Sequence, residues 1–285
     1  MKLRLRLRKR QRWFPVLPTM ITLGNAVCGF GAITFAFNVG PEGSSTAVYG
    51  GLFTAALLVY LGMVFDMLDG HMARLTKQIS NFGAELDSMC DVITFGVAPP
   101  FIMLKFPQVQ EVYHPRLLWV IAVLYTLCAV LRLARFNVET DEQNSHDSFS
   151  GLPSPAAAGT VASFAIILPG LQKLTAPHPA IGAWLTQAAY VSLPLVTLAV
   201  ACLMVSRIRY PHYFNQLFRG RRNFQHLVQL TFALVAVFAV HELAIPLILM
   251  YFVLASPLRA FGSRLVTHRL PEPAKAAPEF PPPSP

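Results

Sequence analysis

Apolar residues run along this chain in long blocks, each close to the roughly 20 residues a helix needs to cross the hydrocarbon core of a bilayer. The blocks predict spans at about 17–39, 47–70, 82–104, 116–136, 155–171, 181–205, 225–241 and 243–261. Only His241 and Glu242 part the last two, so these predict one tight helical hairpin; eight spans are expected, with seven as the alternative. The expected fold class is therefore an all-α integral membrane protein. The tail from Pro271 to Pro285 is rich in Pro and Ala and is expected to be disordered.

One polar stretch breaks into this pattern. From Asp66 to Asp91 the chain reads D-M-L-D-G-H-M-A-R-L-T-K-Q-I-S-N-F-G-A-E-L-D-S-M-C-D. Asp66 and Asp69 are three residues apart and Asp87 and Asp91 four, so in helices each pair shares one face, a turn apart. Two helices packed side by side bring the pairs together. Ionised carboxylates gathered at the end of an apolar bundle repel each other and are costly to desolvate, so four of them call for a cation. Hard oxygen ligands, with no His or Cys among them, point to Mg²⁺ or Mn²⁺ in place of Zn²⁺.

Composition and charge agree with a membrane enzyme. Of the 285 residues 54% are hydrophobic and 13% charged, the mean hydropathy is +0.49, and a soluble domain carries about 25% charged residues. With both termini on the cytoplasmic side, all of the 23 Lys and Arg except Lys105, Arg116 and Lys173 fall in cytoplasmic segments. The positive-inside rule predicts this asymmetry, and a shift of one span destroys it. The net charge of +9 thus reflects topology and anionic lipid headgroups, not a nucleic-acid partner. The basic start, Met1–Arg12, reads as an inner-leaflet anchor, because the apolar run behind it is too long for a cleaved signal peptide and lacks a small-residue cleavage site. The same reasoning puts the Asp66–Asp91 stretch on the cytoplasmic side, and the basic start and short length favour a bacterial inner membrane.

Small and polar residues flank the acids. In the first span Gly24, Gly29 and Gly31 allow close backbone approach, while Asn25 either bonds across a helix contact or faces substrate. Gly70 follows Asp69, Ala73 lies a turn further, and Gly83 sits one turn before Asp87; all three leave room beside the carboxylates. Arg74 offers a positive fork suited to phosphate oxygens. Ser80 either caps the following helix or accepts a ligand hydrogen bond. Cys28, Cys90, Cys128 and Cys202 stand apart within apolar spans and read as buried thiols, neither paired nor metal-binding.

These residues satisfy the pattern D-x2-D-G-x2-A-R-x8-G-x3-D-x3-D through Asp66, Asp69, Gly70, Ala73, Arg74, Gly83, Asp87 and Asp91. The pattern resembles the signature of the CDP-alcohol phosphatidyltransferases, membrane enzymes that make phospholipid headgroups. The resemblance covers about residues 15–215. It implies a six-helix core in which an alcohol attacks the lipid-linked phosphorus of a CDP-lipid and CMP leaves. It further implies that Asp66, Asp69, Asp87 and Asp91 hold two divalent ions, that Asp91 is also the general base, and that Gly70, Arg74 and Ser80 contact the CDP moiety. Asn25, Ala73 and Gly83 complete the expected CDP-lipid-binding set. The organisation that follows is a basic start (1–14), the core (15–215), a terminal hairpin (216–262) and the tail (263–285).

Three further stretches concern the acceptor. R-L-A-R-F-N carries Arg132, Arg135 and Asn137; G-L-P-S-P-A-A-A-G runs from Gly151 to Gly159; L-M-V-S-R-I-R-Y runs from Leu203 to Tyr210. They resemble the phosphatidylserine synthase branch of the family, with CDP-diacylglycerol and L-serine as substrates. Arg132 or Arg135 then pairs with the serine carboxylate or with substrate phosphate, or else anchors the inner leaflet. Family members often pair as dimers, so the resemblance admits a homodimer embedded among membrane lipids. Two other readings stand beside this one. The first keeps the chemistry with glycerol 3-phosphate, an inositol phosphate or phosphatidylglycerol as acceptor. The second is a divalent-cation transporter, against which the gathering of the acids at one membrane face speaks.

Overall fold

Six apolar blocks between positions 16 and 205 fold into helices whose limits fall within a few residues of those the hydropathy predicts. A computed structural model describes residues 16–39, 45–75, 81–141, 151–174, 179–206 and 253. Helix α1 is Val16–Phe37, α2 Ser45–Leu75 and α3 Asn81–Asp91; a π-helical segment, Val92–Val97, leads into α4, Ala98–Leu104. The short α5, Pro107–Val112, precedes α6, Pro115–Asp141, then α7, Ser154–Leu174, and α8, Pro179–Val205. No strand occurs among the described residues. Six helical stretches are long and apolar enough to cross a bilayer: Pro18–Phe37, Tyr49–Met72, Phe82–Leu104, Pro115–Val138, Ser154–Leu171 and Ala180–Val205. The expected hairpin at 216–262, the basic start and the tail lie outside the described residues.

Close packing depends on small residues. Helix α1 runs along α2, α8 packs on α6 and α7, and α7 also meets α2. A Cβ on Gly29 would sit 2.7 Å from the Thr94 Cα, and one on Gly31 3.2 Å from a Leu58 methyl. Gly29 and Gly31 thus serve close approach, as their spacing predicts, whereas a Cβ on Gly24 would meet the Phe65 ring only at an ordinary 3.6 Å. Ala32, Ala36, Ala55, Ala56, Ala98, Ala129, Ala158 and Ala162 are buried in the same core with Phe95, Tyr125 and Leu168. Side-chain hydroxyls within the helices are satisfied by carbonyls a turn back, as Thr54 is by Gly50 (2.9 Å) and Thr197 by Leu193 (2.8 Å). In hydrocarbon an unpaired hydroxyl would be expensive.

The third span departs from a plain helix for a reason visible in its residues. Pro99 and Pro100 have no N–H, so the carbonyls four residues back, Phe95 and Gly96, lose their helical donors. The chain widens to a π turn, with the Ala98 N–H bonded to the Ile93 carbonyl, and α6 supplies the missing donors. The Tyr125 hydroxyl donates to Phe95 O (3.2 Å) and Thr126 Oγ1 to Gly96 O (3.0 Å).

An aromatic cluster closes the bundle at the end where α2 begins. The Tyr49 and Tyr190 hydroxyls are 2.7 Å apart, Tyr113 donates to Val191 O at 2.8 Å, and Lys105 Nζ lies 4.6 Å from the Phe37 ring centroid. Tyr49 and Asp69 are twenty residues apart on α2, about 30 Å at 1.5 Å per residue. The acids therefore occupy the opposite end.

Candidate functional site

Helical spacing places Asp66 and Asp69 on the last turns of α2 and Asp87 and Asp91 on the second half of α3. Both α3 and α2 pack against α1, so the two acid pairs meet across a small gap. One carboxylate oxygen each from Asp66, Asp69 and Asp87 lies within 4.8 Å of the others. Asp69 is only 5% exposed, and Asp69 Oδ2 and Asp87 Oδ1 are buried without a hydrogen-bond partner. Buried anionic oxygens that converge without donors are expensive unless a cation joins them. The three aspartates therefore fit a hard divalent cation, and their donor set is all oxygen.

Asp91 stands beside this trio and not within it. It is buried, and its Oδ1 accepts a hydrogen bond from Asn25 Nδ2 at 2.9 Å. Its charge is close enough to interact with those of Asp66, Asp69 and Asp87. Asn25 is fully buried in α1, so of its two expected roles the structure places it in the helix contact, bonded across to Asp91.

Arg132 supplies positive charge on the α6 side. Its guanidinium is half-buried, donates to Ser154 Oγ at the start of α7, and interacts through space with Asp66 and Asp91. Ser154 is held by the residues before it. Gly151 adopts φ 96°, a conformation that favours glycine, and a Cβ there would run into the Met204 carbonyl. The Leu152 N–H then bonds Leu203 O at 3.0 Å, tying the start of α7 to the end of α8. Sequence reasoning missed Ser154 as a partner of Arg132; the G-L-P-S-P stretch was the signal available.

The remaining expected residues divide. Arg135 is exposed. Asn137 donates from Nδ2 to Ser88 Oγ at 3.0 Å, while Ser88 donates to Ala84 O at 3.1 Å, so Asn137 joins α6 to α3. Gly70 and Gly83 lie beside Asp69 and one turn before Asp87, as their numbering requires. Ala73 and Arg74 continue α2, with side chains outside the described residues; Ser80 lies outside them altogether. Cys28, Cys90 and Cys128 are buried as expected, whereas Cys202 is exposed on α8. An apolar span must show one face to lipid, and Cys202 falls on such a face.

A family model described as CDP-alcohol phosphatidyltransferase matches residues 15–206. The chain is 35% identical over 161 residues to the CDP-diacylglycerol–serine O-phosphatidyltransferase of Methanocaldococcus jannaschii, covering 56% of this chain and 65% of that protein. It is 32% identical over 197 residues to the Bacillus subtilis protein of the same name, covering 69% of this chain and 90% of that one. The archaetidylserine synthase of Methanothermobacter thermautotrophicus is 33% identical over 204 residues, 70% of each chain.

Proposed function

The chain belongs to the CDP-alcohol phosphatidyltransferase family, and from that premise we propose that it transfers the phosphatidyl group of CDP-diacylglycerol to L-serine, forming phosphatidylserine and releasing CMP. The convergence of Asp66, Asp69 and Asp87 beside Asp91 and Arg132 carries this reading. The names of the relatives support the acceptor, since two name serine as the group that receives the phosphatidyl moiety and the third names a serine lipid as its product.

Asp66, Asp69 and Asp87, with Asp91, would hold two divalent ions, Mg²⁺ or Mn²⁺, and these would supply charge neutralisation at the diphosphate of the CDP-lipid. Asp91 takes the proton of the serine hydroxyl through the oxygen that Asn25 leaves free. The serine oxygen bonds to the lipid-linked phosphorus as the bond from that phosphorus to the CMP oxygen breaks. No covalent enzyme intermediate is required. Arg132, anchored by Ser154, faces the same space with a donor fork that suits the serine carboxylate or a substrate phosphate. Gly70, Ala73, Gly83, Arg74 and Ser80 form the CDP side of the site. The acids and both termini face the cytoplasm, on the charge asymmetry of the chain, and the basic start and short length favour a bacterial inner membrane.

The test follows CMP release by the purified protein with CDP-diacylglycerol and Mg²⁺ or Mn²⁺, offering L-serine, glycerol 3-phosphate and an inositol phosphate one at a time. Release with L-serine alone is expected, and chelation with EDTA should abolish it. Release with another acceptor and not with serine would overturn the acceptor assignment while leaving the chemistry in place.

A further inference from the structure

Asn25 makes three contacts that together point at Asp91. Its Nδ2 donates to Asp91 Oδ1 at 2.9 Å. Its backbone carbonyl accepts from Thr94 Oγ1 at 2.9 Å, and Thr94 belongs to the π turn directly behind Asp91. Its Oδ1 is buried with no partner and lies against Gly62, where an added Cβ would come within 2.9 Å of it and 2.5 Å of Thr94 Cγ2. Gly62 is one turn before Asp66 on α2. The amide is thus wedged among α1, α2 and the third span, directly beneath the acids.

We propose that Asn25 is a positioning residue that sets the direction of the Asp91 carboxylate, and that Gly62 leaves the room this amide needs. The inference rests on the reading of Asp91 as general base. A carboxylate has two oxygens and rotates about its terminal bond; a donor on Oδ1 fixes the plane and leaves Oδ2 to meet the acceptor hydroxyl. Asn is suited to this because it donates without adding charge, so the pull of the neighbouring acids on a cation is left intact. Lys or Arg in its place would compete with that cation. An amide that only joined helices would have both ends paired, since an orphaned buried acceptor is costly. Here one end is given up so that the other reaches the single carboxylate outside the trio.

The experiment uses the full-length enzyme in nanodiscs, measuring kcat, KM for CDP-diacylglycerol and L-serine, and Mn²⁺ affinity by electron paramagnetic resonance. Asn25→Ala should lower kcat at least tenfold, with both KM values and the Mn²⁺ Kd within threefold of wild type. Asn25→Asp keeps the volume but sets an acceptor against an acceptor, and should lower kcat at least as far while Mn²⁺ still binds. Gly62→Ala should lower kcat by a similar factor in the wild-type background and by a smaller factor in Asn25→Ala, where the contact with Asn25 Oδ1 is gone and the one with Thr94 Cγ2 remains. A kcat within twofold of wild type in Asn25→Ala and Asn25→Asp would overturn the proposal. So would a loss of turnover matched by equal losses of Mn²⁺ and CDP-lipid binding, or independent effects of Gly62→Ala and Asn25→Ala. Asp91→Asn, run alongside, separates the two levels. Turnover retained there removes the base assignment itself, whereas an inactive Asp91→Asn beside a normal Asn25→Ala removes only the positioning role.

Discussion

At the scale of single residues the four aspartates divide the labour unequally. Asp66, Asp69 and Asp87 converge on one small volume, while Asp91 is turned by Asn25. Asp91→Asn should therefore abolish CMP release while CDP-lipid binding, read by isothermal titration, stays within a few-fold of wild type. Near-normal turnover would contradict the base assignment. Arg132 is expected to act on the acceptor through a fork held by Ser154. Ser154→Ala frees the guanidinium without removing its charge, so KM for L-serine should rise about tenfold or more, the roughly 1.5–3 kcal/mol worth of one hydrogen bond to a charged group, with KM for CDP-diacylglycerol unchanged. Arg132→Lys keeps the charge but loses the planar fork, and should raise the serine KM further than Ser154→Ala does. A rise in the CDP-diacylglycerol KM alone would reassign Arg132 to the lipid substrate. The aspartates and Arg132 were legible as residues because charge in an apolar block is expensive and therefore purposeful. Asn25 stood out as a polar residue in an apolar run, but its partner Asp91 did not follow from spacing; Thr94 and Ser154 are common residues in membrane helices, and no spacing rule singles them out.

At the scale of elements the third span is the informative one. Its hydropathy reads as a single helix, yet Pro99 and Pro100 strip the donors from Phe95 O and Gly96 O, and hydroxyls on α6 replace them. Tyr125→Phe should leave the Phe95 carbonyl buried without a donor and destabilise the protein by about 1–3 kcal/mol, seen as a lower midpoint of thermal unfolding in detergent. Tyr60→Phe is the control. Tyr60 donates to Gly159 O at 2.8 Å, inside helix α7, where a helical N–H already serves that carbonyl, so its loss should cost less than that of Tyr125. Equal midpoints for the two variants would refute this account of the π turn. The prolines were present in the sequence as a warning of broken helix geometry. Which hydroxyls would answer them depends on how α6 lies against the third span, and that is a matter of packing.

At the scale of the whole molecule the acids, Arg132 and Ser154 gather at one end of the bundle and the tyrosine cluster at the other. On the lopsided Lys and Arg distribution we propose that the acid end faces the cytoplasm. Single cysteines introduced at Lys77 and at Lys173 in a cysteine-free chain should therefore label from opposite sides of the membrane, Lys77 only from the cytoplasmic face. Labelling of both from one side would break the topology. The number and approximate limits of the six described spans, and the family itself, were determined by the sequence alone. Each follows from hydrophobicity, charge or fixed spacing, which are additive along a chain. The tertiary structure decided that Asp91 stands outside the trio, that Asn25 bonds to it, that Ser154 bonds to Arg132 and that Asn137 is occupied by Ser88. These contacts join residues twenty or more positions apart, and a hydrogen bond needs a donor and an acceptor within about 3 Å, a condition that only the packing of helices can meet.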